Sequence, residues 1–272
     1  MRVPDTPAPH DPASVEPTSD RLVFIGGVHR SGTTLLAELL GDHPDVSALT
    51  ETGVWHDEGQ FLQAVYPTAA ECGGPGKFAF DARAHLTEAD ATGPDAAGTV
   101  VPQAHLLERW TPYWDLRRRF LVEKSPPNLL RFRYLQALFP DAHFIAIVRH
   151  PVAVAYATAG WAKTPVSNLL EHWLHAHEVF ESDRASVNQL TFLRYEDLVL
   201  DVPGTLATVC TALGVEPYVP DASVRSDTNE RYLRRWRHSR VVPMHPRVVV
   251  HRARFERRLR ALGYGYSLLD RP

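Results

Sequence analysis

The chain has 272 residues, 44% of them hydrophobic, enough for one sizeable core or for one domain carrying an insertion. Its formal net charge of −3 gives no case for a nucleic-acid-binding surface. Two cysteines, Cys72 and Cys210, make neither a disulfide framework nor a metal-ligand spacing, and no stretch of about 18 apolar residues is present to cross a bilayer.

Residues 1–20 contain five prolines (Pro4, Pro7, Pro9, Pro12, Pro17) and almost no large apolar side chains, so this segment is expected to be disordered and the folded domain to occupy residues 21–272. Leu22 to Ile25 is a short apolar run of the kind a buried parallel strand needs. Gly26-Gly27 then allows a tight turn and a close approach to a ligand. His29-Arg30-Ser31-Gly32-Thr33-Thr34 follows. Leu35, Leu36, Leu39 and Leu40 next recur on one helical face, with Gly41 placed to stop the helix. A glycine-rich turn from a strand into a helix N-terminus presents free N–H groups and the positive end of the helix dipole to an anion. Arg30, Thr33 and Thr34 add side-chain donors. From Gly27 to Gly32 the spacing approaches G-x-x-x-x-G-K-[ST], but Thr33 stands where the lysine belongs, and the cation sits earlier, at Arg30. The residue that would touch the β- and γ-phosphates of a nucleoside triphosphate is therefore missing.

Asp42-His43-Pro44-Asp45-Val46 makes a turn and leads to Thr50-Glu51-Thr52. Residues 53–119 mix Gly/Pro-rich stretches with scattered aromatics and are expected to form helices and loops capping the sheet. Phe120 to Val122 is the next buried strand, ending in Glu123-Lys124-Ser125-Pro126. A helix is expected from Pro127 to Leu138, stopping before Pro140. His143 to Val148 is a third strand. Arg149, directly after it, needs an anionic or carbonyl partner, and His150-Pro151 opens a helix running through Tyr156. A long helix covers residues 165–186. His172, His175 and His177 lie on it, but a helix brings i and i+3 to one face and not i+5, so no metal site is expected. Leu190 to Leu193 is the fourth strand, leading into Arg194-Tyr195-Glu196-Asp197. Pro203 to Leu213 is a helix closed by Gly214. Arginines are dense from Arg225 to Arg260, and a final helix ends at Leu262-Gly263-Tyr264. Strands alternating with helices predict an α/β fold: an open parallel sheet flanked by helices, with a P-loop-like first turn and a cap insertion. Ligands of such sheets sit beyond the carboxyl ends of the strands, where the first loop, Lys124 and Arg149 all fall.

The run GGVHRSGTTLL resembles the 5′-phosphosulfate loop of sulfotransferases that use 3′-phosphoadenosine 5′-phosphosulfate (PAPS), and in particular that of the protein-tyrosine and carbohydrate sulfotransferases. HPDVSALTETG is similar to the His-Pro turn and Glu-Glu-Thr segment that follow the loop in the tyrosine enzymes. The second family glutamate, the catalytic base, falls on Glu51; the first falls on Thr50, and the family arginine after the threonine falls on Gly53. Lys124 matches the lysine of the family Lys-Asp-Pro segment, with Ser125 in place of Asp. Arg149 matches the arginine of the 3′-phosphate motif, while the family serine eight residues later is Ala157. Tyr195 matches the tyrosine near the adenine. In TNERYLRRWR, Arg234 or Arg235 takes the place of the basic residue that closes over the cofactor, with Arg235 aligning better.

The resemblance implies an enzyme that moves a sulfuryl group from PAPS to an acceptor hydroxyl. Arg30, Ser31, Gly32, Thr33 and Thr34 would hold the 5′-phosphosulfate. Arg30 and Lys124 would stabilise the transferred charge, Glu51 would take the acceptor proton, and Arg149, Tyr195 and Arg235 would bind the rest of the nucleotide. No metal is expected, because arginine and lysine supply the positive charge. Family members of the Golgi carry a membrane anchor; none is seen here, nor a signal peptide, so a bacterial, cytoplasmic enzyme is expected. Two other classes fit the loop: a small-molecule kinase, which would need Mg²⁺ and a phosphate-binding lysine, and a non-catalytic nucleotide-binding protein. The acceptor stays open among a peptide tyrosine, a sugar, a lipid and a secondary metabolite, and so does the oligomeric state.

Overall fold

A computed structural model describes residues 16–91, 101–239 and 255–264. Five parallel strands form its centre: β1 (Leu22–Gly26), β2 (Val46–Ala48), β3 (Phe120–Lys124), β4 (His143–Val148) and β5 (Leu190–Arg194), in the spatial order β2-β3-β1-β4-β5. The chain leaves central β1 for the β2 edge, returns through β3, and then crosses to β4 and β5. The crevice between the outgoing and returning connections therefore opens at the carboxyl end of β1, the place where open α/β sheets hold ligands.

Register aligns that end. Ile25 pairs with Lys124 on one side and with Ile145 on the other. Gly26, Lys124 and the residue after β4, Arg149, consequently emerge along one edge of the sheet.

Both faces of the sheet are covered, which is why β1 is apolar throughout rather than alternating. Leu22, Phe24, Leu121, Phe144, Ala146 and Val148 point to a core shared with α4 (Pro151–Ala162), α5 (Val166–Asp183) and the cap. Val23, Ile25, Val122, Ile145 and Ile147 point to the other face, against α1 (Thr33–Gly41), α6 (Tyr195–Leu200) and α7 (Val202–Leu213). Gly214 closes α7 in the left-handed conformation, as its position predicts.

Residues 55–91 are loops and turns punctuated by five short 3-10 segments, and among the described residues between 53 and 119 the α-helix is α2 (Pro102–Trp110). Two fully buried residues, Trp110 and Arg131, fasten this region down. Trp110 donates its indole N–H to Gly59 O (3.0 Å), and Arg131 donates to Ala84 O and Pro67 O.

Several expectations are corrected. Gly41 is the last residue of α1, but not as a left-handed cap: Asp42 after it is still right-handed, and the chain turns on His43, whose Nδ1 accepts from Asp45 N–H. The helix expected from Pro127 is two pieces, a 3-10 segment Pro126–Leu130 and α3 (Phe132–Leu138), divided at Arg131 where φ is −132°. Strand β2 carried no recognisable signal because three residues are too few for a period. The helix begun at Pro151 runs two turns past Tyr156. Residues 16–20 of the expected tail are placed, with Ser19–Arg21 in a short turn and Ser19 Oγ accepting from Asp141 N–H; the rest of that segment lies outside the described residues. A short helix at 255–261 precedes Gly263, which is left-handed. The helix α8 (Glu230–Ser239) carries part of the basic stretch, of which residues 240–254 lie outside the described residues.

Candidate active site

The β1–α1 loop is compressed against its neighbours. A side chain at Gly27 would place its Cβ 2.5 Å from Ile147 O, so the backbone can pass there only without one. Gly32, the residue before α1, has φ +102°, and a Cβ on it would stand 2.5 Å from the Tyr195 ring. Arg30 also takes a left-handed φ of 72°. These two reversals turn the loop over the start of α1, whose first N–H groups have no intrahelical acceptor. Ser31 and Thr33 are buried, Thr34 is half-buried and Arg30 is exposed.

Arg149 binds this loop from beneath. It is 4% exposed, and its Nη1 donates to Arg30 O (2.9 Å) while its Nε donates to Asn229 Oδ1 (2.7 Å). Its guanidinium lies 4.1 Å from the Tyr195 ring centre and 5.8 Å from that of Tyr232. Asn229 in turn donates to Glu196 Oε1, which also accepts from His150 N–H. Several buried polar atoms here have no protein hydrogen-bond partner, among them Arg149 Nη2, Ser31 Oγ, His29 Nδ1, His150 Nε2 and Glu196 Oε2. Buried polar groups are mostly hydrogen-bonded, so a cluster of unpartnered ones beside a helix N-terminus is a candidate ligand contact.

Lys124 is also buried. Its Nζ donates to His56 O (2.8 Å) and pairs with Glu58 Oε1 at 3.4 Å. Burial pushes the Glu58 carboxyl up, against the pull of Lys124 and of the Gln60 amide bonded to it. Behind Lys124, Glu123 accepts from Gly59 N–H, Ser125 Oγ and Asn128 Nδ2, and its buried carboxyl is raised as well. Segment 58–60 is thus pinned to the end of β3. A cleft of about 500 Å³ opens beside α1, lined among others by Thr34, Thr50, His56, Asp57 and Lys124.

Two imidazoles border the same region. His29 sits edge-on to Phe78 and Trp161, and burial, with Lys124 and Arg30 close by, lowers its pKa to about 3. His56 has φ 52° and is lowered by partial burial and by the same two cations. Both rings are neutral near pH 7.

The structure therefore brings together Arg30, Ser31, Gly32, Thr33, Thr34, Arg149 and Tyr195 at the loop, and sets Lys124 on the adjoining strand. Glu51 is exposed, left-handed at φ 56°, and at the rim of the cleft, one residue beyond Thr50. Tyr195 is buried under Gly32 and Arg149. Arg235 is exposed on α8 with its guanidinium over the Tyr156 ring, and Arg234 pairs weakly with Glu230; the α8 residue facing Arg149 is Tyr232. Glu58 and the link from Asn229 to Arg149 escaped the sequence reading. No local pattern announces that Glu58 folds back 66 positions onto Lys124. His172 accepts from Ala79 N–H and the His177 ring bonds to Trp173 O, so each has its own partner. Among the described residues no group of three or more His, Cys, Asp or Glu converges as a metal site, and no helix is long and apolar enough to cross a membrane.

The model of the sulfotransferase family matches residues 23–221, from β1 to beyond α7. The chain belongs to that family. It is 30% identical over 203 residues to protein-tyrosine sulfotransferase 2 of Gallus gallus, an alignment covering 71% of this chain and 51% of the relative. The chain thus spans about half the length of the curated relatives it matches. Its fold is similar to the sulfotransferase domain of the Synechococcus PCC 7002 olefin synthase (TM-score 0.55, 19% identity, covering 92% of this chain and 95% of that one). It is also similar to a sulfotransferase from Alicyclobacillus acidocaldarius (TM-score 0.52, 18% identity, covering 94% and 100%).

Proposed function

We propose that this sulfotransferase moves a sulfuryl group from PAPS to the hydroxyl of an acceptor. The observation that carries the reading is the cluster of buried, unpartnered polar atoms at the loop before α1, among them the donors Ser31 Oγ and Arg149 Nη2. Their chemistry suits two separate anionic groups on one ligand. PAPS, when bound, supplies the activated sulfuryl group and leaves as adenosine 3′,5′-bisphosphate.

In this reading Ser31, Thr33, Thr34 and the N–H groups from Gly32 onward bind the 5′ end, with Arg30 above them. Arg149 binds the 3′-phosphate with Nη2, its other two donors being held by Arg30 O and Asn229. Tyr195 supports the Arg149 plane, and Arg235 closes from α8. Lys124 stabilises charge on the group in transit, which is shared in a loose, in-line transition state much as in phosphoryl transfer. Glu51 accepts the acceptor's proton as the new O–S bond forms and the bond to the 5′-phosphate breaks. Residues 53–119 act as the acceptor-side cap. The proposal needs no metal ion, and it includes a bacterial, cytoplasmic setting that cell fractionation checks.

Calorimetric titration with adenosine 3′,5′-bisphosphate, with and without EDTA and against ATP with Mg²⁺, tests it. Metal-independent binding of the bisphosphate is expected. Binding of ATP alone, dependent on Mg²⁺, would establish a kinase instead. Arg149→Ala should weaken the bisphosphate by about 10- to 100-fold, the value of a charge-assisted hydrogen bond, and barely affect adenosine 5′-phosphate.

A further inference from the structure

Six tryptophans divide sharply by burial. Trp110, Trp114, Trp173 and Trp236 are buried, while Trp55 is 60% and Trp161 44% exposed. The two exposed indoles come from different parts of the fold, the cap loop and the last turn of α4, yet they lie parallel, 9° apart in plane with centroids 6.4 Å apart. Each also touches one half of the site. Trp161 is edge-on to His29, next to Arg30 in the first loop (5.6 Å). Trp55 is edge-on to His56 (4.9 Å), whose carbonyl holds the Lys124 ammonium. The pair therefore links His29 of the first loop to His56, the residue that holds Lys124.

Packing does not explain it, because water still reaches about half of each ring, a wasteful place for the largest apolar side chain. Resting on the sulfuryl-transfer reading above, we propose that Trp55 and Trp161 form the acceptor wall, and that the acceptor carries its hydroxyl on or beside an uncharged ring with an apolar face. The separation limits how the ring binds. Sandwiching a third ring needs about 7 Å or more between planes, twice a carbon contact distance, and the indoles are closer than that. The ring stacks on an open face of the pair. Charge agrees: both imidazoles behind the wall are neutral near pH 7, and the cations Arg30 and Lys124 beside it disfavour a cationic acceptor. A phenol and a pyranoside both present such a face; a branched aliphatic alcohol does not.

The test reads the indole ¹H–¹⁵N resonances of the full chain saturated with adenosine 3′,5′-bisphosphate. Trp55→Phe and Trp161→Phe assign the two exposed indoles. Phenol, methyl β-D-galactoside and tert-butanol are titrated separately. Shifts confined to Trp55 and Trp161 are expected with phenol or the galactoside, and which of the two acts tells an aromatic acceptor from a sugar. Trp161→Ala should weaken that probe about 3- to 10-fold, the worth of an aromatic stack, and Trp161→Phe should restore most of it, with bisphosphate affinity unchanged in both. Equal shifts with tert-butanol, or none with any probe while the bisphosphate binds, would overturn the wall and leave the transfer reading intact. Failure of the bisphosphate to bind would remove the transfer reading itself.

Discussion

Gly32→Ala isolates how the anion loop is held. The substitution asks for two things the fold does not allow. A φ of +102° costs an L-residue about 1–2 kcal/mol. The new methyl also stands 2.5 and 3.1 Å from Tyr195 Cδ2 and Cε2, an overpacking of the kind that costs about 1–3 kcal/mol. The sum, about 2–5 kcal/mol, is a large share of the stability of an ordinary domain. The ring also carries the Arg149 guanidinium at 4.1 Å, so moving it disturbs the proposed 3′-phosphate donor as well as the loop. Urea unfolding followed by circular dichroism gives the first quantity, and bisphosphate titration the second, expected to fall at least about tenfold for a displacement near 1 Å. Tyr195→Ala relieves the contact but not the backbone strain. The double variant should therefore be more stable than the sum of the singles by about 1–3 kcal/mol. Additivity within about 0.5 kcal/mol, or an unchanged bisphosphate affinity in Gly32→Ala, would refute the reasoning.

Glu51→Ala is expected to lower turnover about 10²- to 10⁴-fold at unchanged bisphosphate affinity, measured with PAPS and an accepted acceptor; unchanged turnover would move the base role to His56 or His29. Glu58→Ala leaves Lys124 buried without its carboxylate and should destabilise the fold by about 3–5 kcal/mol in urea, whereas Glu58→Gln should lose less because the amide still fills the site. Stability should fall as the medium is acidified from pH 6.5 toward pH 4. The His29 and His172 pKa values are depressed to about 3, and those of His150 and His177 to about 4, chiefly by burial. Below about pH 6.5 the unfolded chain takes up protons these rings cannot, a loss of up to about 1.4 kcal/mol per pH unit for each. Glu58 and Glu123, raised by burial, oppose this in the lower part of the window, but two carboxyls offset only part of four imidazoles. His172→Gln should flatten the slope of unfolding free energy against pH.

The sites most legible in sequence are those made of consecutive residues. The loop from Gly26 to Thr34 declares itself because a turn that tight, entering a helix, leaves few residue choices. Lys124 and Arg149 declare themselves because a cation directly after an apolar strand must sit at a sheet edge, and parallel pairing puts those ends side by side. What stayed hidden is what depends on distant chain segments. Arg131 breaks the helix expected from Pro127, because its guanidinium is drawn to carbonyls of the cap. Glu58 folds back on Lys124, Asn229 reaches Arg149 from beyond α7, and Trp55 meets Trp161. Local composition, periodicity and turn chemistry thus determined the α/β class, the positions of four of the five strands and the tight strand-to-helix turn at residues 26–34, since these are set by neighbouring residues and by the burial of both sheet faces. Only the tertiary structure decided which carboxylate holds the lysine, which donors are left without partners and where two indoles stand open to solvent, because each depends on contacts between segments far apart in the chain.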